Sequence, residues 1–144
     1  MLRQKKSLVV LLAMGLTAMM MLAGCGSGQY GEIEGIISDQ ANITENYVNG
    51  LEKAENAGDV ADVINAFTDG MKTLIPKIKD FQKEHPEFWN GGADVPENIK
   101  IQQKRLEAAS NKVQAATVNM MKYMLDPKVQ QAMQNMSVEM SKMQ

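Results

Sequence analysis

The stretch VADVINAFTDGMKTLIPKIKDFQKE, Val60 to Glu84, has apolar residues whose spacing settles the fold class. Val60, Phe67, Leu74 and Phe81 stand seven apart, and Ile64, Met71 and Ile78 repeat at the same interval on the neighbouring row. A stripe of that period held over the whole segment predicts an α-helix packed along its full length. Pro76 lies inside it and removes one i→i−4 hydrogen bond. The stripe keeps its phase across Pro76, so a kink is expected and not a break.

Working outward, Asn56-Ala57-Gly58-Asp59 reads as a stop and a restart, with Gly58 ending one helix and Asp59 capping the next. Before it, Glu32 to Ala57 carries Ile33, Tyr47 and Ala54 on one row, with Gln40 among them. Ile37, Thr44 and Leu51 form the adjacent row, so Gln40 and Thr44 make a polar seam in an otherwise apolar face. After it, His85 to Asp94 is a loop in which Pro86 and the pair Gly91-Gly92 stop the helix. A third helix is expected from Val95-Pro96-Glu97, capped by Asp94 with Pro96 in its first turn, to about Leu125. It runs on Ile99, Leu106, Val113 and Met120, with Ala109 and Ala116 alongside.

Asp126-Pro127 is a further cap-plus-proline restart, because proline disfavours the helical conformation in the residue before it. The last segment carries Val129, Met133, Met136, Met140 and Met143, a stripe out of step with that of the third helix. This favours a turn, although Val118, Met121, Leu125 and Val129 offer a weaker continuous path. No stretch alternates like a strand. The expectation is an all-α domain over residues 32–144, an antiparallel bundle of three long helices with a shorter C-terminal fourth segment folded back or protruding.

The N-terminus obeys different rules. Arg3, Lys5 and Lys6 precede Leu8 to Leu22, which are 15 residues without a charge. A membrane-spanning helix needs about 20 apolar residues. Basic residues, a short apolar stretch and then small residues are the parts of a secretory signal. The stretch ends in Leu22-Ala23-Gly24-Cys25, which resembles the lipobox of bacterial lipoprotein precursors. That resemblance implies that residues 1–24 are removed by signal peptidase II. It also implies that Cys25 carries a diacylglyceryl thioether and that its new amino group is acylated, palmitate being a typical chain. Residues 25–31, with Gly26, Ser27, Gly28 and Gly31, would form a flexible tether. Gly26 stands where inner-membrane lipoproteins of many two-membrane bacteria carry Asp. By the same resemblance the body faces the periplasm from the outer membrane; a cell with one membrane would display it outside.

Removal of residues 1–24 leaves 120 residues with 12 basic and 17 acidic side chains, a net charge of −5. An acidic body is not drawn to nucleic acid or to anionic lipid. Membrane contact is therefore expected through the lipid on Cys25, and any partner is expected to be an envelope protein. With the one cysteine used, no thiol remains for a disulfide or a nucleophile.

The methionines could carry chemistry. Seven of the thirteen fall between Met120 and Met143. Thioethers are soft donors for Cu(I), and Met133, Met136, Met140 and Met143 pair sulfurs one turn apart, the basis of an alternative reading as a small-ligand or Cu(I) carrier. The same spacing serves an adaptable core filler. His85, the only histidine, excludes a multi-histidine metal site, and with no Cys-x-x-Cys-His no haem or other cofactor is expected. Phe88 and Trp89 form the densest aromatic spot and read as a partner contact or as a plug over the end of the core. Glu32, Glu34, Asp59 and Asp62 suit helix N-termini. With no nucleophile–base set, a non-catalytic role is expected.

Overall fold

The structure, a computed structural model, describes residues 29–86 and 96–142. All of the regular structure among them is helical: α1 Gln29–Lys53, α2 Ala57–Glu84, α3 Glu97–Met121 and α4 Pro127–Lys142. α1 is the central element, packed along one side by α2 and along the other by α3, while α4 lies on α2. Asp39 meets Lys77 and Tyr47 meets Phe67, so α1 and α2 run antiparallel. Glu34 meets Asn98 and Glu45 meets Arg105, so α3 returns parallel to α1. α4 then folds back beside α2, where its Glu139 reaches Lys72 at 3.6 Å. The all-α bundle of three long helices with a shorter fourth is the architecture observed.

The helix boundaries follow local chemistry, with corrections to the sequence reading. α2 starts at Ala57, and its N-cap is Asn56, whose Oδ1 accepts the Asp59 N–H at 3.1 Å. Asp59 sits in the first turn, and its carboxylate turns back to the Glu55 N–H at 3.0 Å. The pairing is a variant of the capping box in which Asp59 closes on the residue before the N-cap and also accepts Asn56 Nδ2 at 2.9 Å. Gly58 accordingly belongs to α2 and does not close α1. α3 has Pro96 at its N-cap with no side-chain cap, and Asp94 lies outside the described residues. α3 also ends at Met121, short of Leu125, in turns closed by Tyr123 N–H to Met120 O at 2.9 Å and Asp126 N–H to Tyr123 O at 2.9 Å. Asp126 then bonds the Lys128 N–H at 2.9 Å, and α4 starts on Pro127. Breaking the helix leaves Leu125 in solvent and lets Val129 reach the core. α2 continues through Pro76.

The core has two clusters. Toward the end where α1 starts, Ile33, Ile36, Ile37 and Ala41 pack with Leu74, Phe81, Ile99 and Leu106 from three helices. Toward the other end all four helices contribute, with Tyr47, Val48 and Leu51 against Val60, Ile64, Phe67, Ala116, Met120, Val129, Ala132 and Met136 among others. The buried polar residues Gln40, Thr44 and Thr68 stand at the boundary. Both threonines donate to their own helix, Thr44 to Gln40 O and Thr68 to Ile64 O at 2.8 Å each. Gln40 Oε1 has no hydrogen-bond partner among the described residues. Ile36, Ala41 and Val48 are buried beyond the expected rows, because a central helix needs a wider apolar arc than one packed on a single side. Gly50 and Gly70 let α1 and α2 close in: a Cβ on Gly50 would lie 2.6 Å from Val63 Cγ2, and one on Gly70 would lie 2.9 Å from Ile43 Cγ1.

Candidate functional site

Cys25, Phe88, Trp89 and Met143 lie outside the described residues. The flanks of two of these positions are informative. Gln29 opens α1, His85 and Pro86 follow α2, and Pro96 precedes α3. Asn98 Nδ2 donates to Glu34 Oε2, and Glu32 meets Glu84 and His85, so all three flanks share one end of the bundle. The chain that follows Leu22-Ala23-Gly24-Cys25 and the chain on either side of Phe88-Trp89 therefore meet the bundle at the same end.

Charged residues of both signs gather toward that end, with Lys79 and Lys83 on α2 and Lys100 on α3 among the acids. Glu32 and Glu34 stand in the first turns of α1, Asp80 and Glu84 near the end of α2. Lys83 lies 3.7 Å from Asp80. A groove of about 310 Å³ runs between the helices, lined by Gly31, Glu32, Gly35, Ile36, Asp39, Lys77 and Asp80. Lys77 Nζ crosses it to Asp39 Oδ2 at 2.9 Å. A second groove of about 290 Å³ continues along Asn42, Ile43, Asn46, Gly70 and Thr73.

Glu32, Glu84 and His85 offer one ligand atom each, all within 4.8 Å of one another, the one such cluster of His, Cys, Asp and Glu among the described residues. The His85 ring lies tilted at 45° against buried Phe81, centroids 4.8 Å apart, and its backbone N–H donates to Phe81 O at 2.9 Å. Sequence alone excludes a multi-histidine site but leaves open a single histidine with two carboxylates. The adjacency of Glu84 and His85 is the signal for it. Glu32 comes to them only through the antiparallel pairing of α1 with α2.

The methionines of the last segment go largely to the core. Met136 is buried, and Met133 and Met140 pack half-buried against the four-helix cluster. Met120 S accepts the Tyr47 hydroxyl at 3.8 Å. Burial pushes the Tyr47 phenol up to about 12. On α4, a hydrogen bond from Lys142, reinforced by Lys72, holds the Glu139 carboxyl below its ordinary value.

No known protein family, curated protein or solved structure matches this chain. Among the described residues, no helix is long and apolar enough to cross a membrane.

Proposed function

We propose that the chain is a lipid-anchored, non-catalytic helical module of the cell envelope that binds a partner protein or supports an envelope assembly. The observation that carries this reading is Leu22-Ala23-Gly24-Cys25 behind a basic and then apolar leader. Acyl burial contributes about 0.8 kcal/mol per CH₂, so two or three chains hold a protein firmly where one does so only marginally.

The fold is consistent with a tethered module. Three residues separate Cys25 from Gln29, which keeps the start of α1 within about 15 Å of the lipid at full extension. The four-helix end then points away from the anchor. There Val118, Met121 and Leu125 are exposed at 58%, 55% and 89% and supply apolar contact surface.

The test is fractionation with cross-linking in the native envelope, comparing the wild type with Cys25→Ser. The wild type should sediment with membrane and cross-link to a discrete protein. Cys25→Ser should lose the membrane fraction. A wild type that stays soluble, or that yields no cross-linked species and instead retains a small ligand or Cu(I), contradicts the reading.

A further inference from the structure

We propose that Glu32, Glu84 and His85 bind a divalent transition-metal ion of the Zn(II) type, clamping the first turn of α1 to the end of α2. The three ligand atoms already lie within 4.8 Å of one another. Tetrahedral Zn(II), with bonds of about 2.0–2.2 Å, sets its ligand atoms roughly 3.4 Å apart. Glu32 and Glu84 are exposed and have the rotamer freedom to close that difference. His85 is the fixed member, held by its ring contact with Phe81 and by its backbone bond to Phe81 O.

The donor set chooses the ion. Ca(II) and Mg(II) take oxygen ligands, whereas imidazole suits Zn(II) and its neighbours and carboxylates complete the sphere. Three protein ligands leave a fourth position for water or for a donor from a partner.

Electrostatics favours a cation here. Glu84 ends α2, where the helix dipole is negative and a carboxylate is disfavoured. It also faces a second carboxylate, Glu32, across the helix pair. A bound divalent ion reverses both unfavourable interactions and joins two segments that share no hydrogen-bonded ladder.

The experiment is Zn(II) titration of the full-length chain in detergent after chelator treatment and its removal, read by competition with a fluorescent zinc indicator and by thermal melting. One Zn(II) per chain is expected, with a raised Tm. His85→Ala and Glu32→Gln should each weaken binding by roughly tenfold or more, a direct ligand counting for at least as much as an outer-sphere partner. Both variants should also lose the zinc-dependent rise in Tm, while Glu107→Gln on α3 should leave it intact. Glu32 is exposed and its amide is isosteric, so that variant separates lost ligation from misfolding. No binding by the wild type, or equal binding by the wild type, His85→Ala and Glu32→Gln, overturns the proposal.

Discussion

Arg105 holds Glu45 in a two-pronged grip, Nε to Oε1 at 3.2 Å and Nη2 to Oε2 at 2.7 Å. The same guanidinium reaches Gln102 Oε1 at 2.8 Å and Asn42 Oδ1 at 2.9 Å, so one side chain of α3 ties together two positions on α1. A planar fork can do this, and an ammonium cannot. Side chains about a third exposed, 37% for Arg105 and 35% for Glu45, put the pair between a surface bridge and a buried one. After screening, Arg105→Lys is expected to lower stability by about 0.5–1 kcal/mol. Urea unfolding checks this, and an unchanged midpoint would show that the grip contributes nothing.

Gln40 makes the opposite case. Its carbonyl oxygen is buried between the two apolar clusters, without a partner among the described residues. A buried acceptor left unsatisfied costs about 1–3 kcal/mol. Gln40→Leu is therefore expected to stabilise the bundle by about 1–2 kcal/mol and to raise Tm by several degrees. A lower Tm would mean that the amide makes contributions its bonding does not reveal.

The glycines of α1 should divide by environment. A methyl group added at Gly35 would meet nothing within 4 Å, whereas one at Gly50 would meet Val63 at 2.6 Å. Gly35→Ala should stabilise by about 0.5–1 kcal/mol through helix propensity alone. Gly50→Ala should destabilise by about 1–2 kcal/mol, because overpacking against a β-branched side chain outweighs that gain. Thermal melting of the two single variants gives opposite shifts if α1 and α2 touch here, and equal shifts if they do not.

Much of this fold is legible in the sequence, for a physical reason. Val60, Phe67, Leu74 and Phe81 are all buried, because a stripe at helical period has one low-energy use. The Asp126-Pro127 restart is equally readable, since proline geometry acts on its immediate neighbours. The cap of α2 is not: Asn56 and Asp59 both suit a cap, and three-dimensional bonding chooses Asn56. The wide burial of α1 is hidden too, because Ala41 and Val48 are covered only once α3 returns to lie parallel to it. The meeting of Glu32 with Glu84 and His85 depends on pairing between helices, which periodicity within each helix does not encode.

Alkaline pH should loosen the four-helix end. Tyr47 is buried, and its phenol is pushed up from 10.0 to about 12 by desolvation. The folded state then holds that proton more tightly than the unfolded chain does. Its contribution is complete below about pH 10 and is lost as pH rises toward 12, roughly 2–3 kcal/mol in all. Tyr47→Phe should remove this part of the slope in denaturant unfolding measured across that range. Parallel profiles for the two proteins would exclude Tyr47 as the source.

Lipid attachment at Cys25 is the central claim, and intact mass spectrometry of the chain extracted from its own membranes tests it most directly. The expected species starts at Cys25, lacks residues 1–24, and carries the added mass of a diacylglyceryl group and an N-terminal acyl chain. A chain that retains its leader, or that starts elsewhere with an unmodified cysteine, would contradict it.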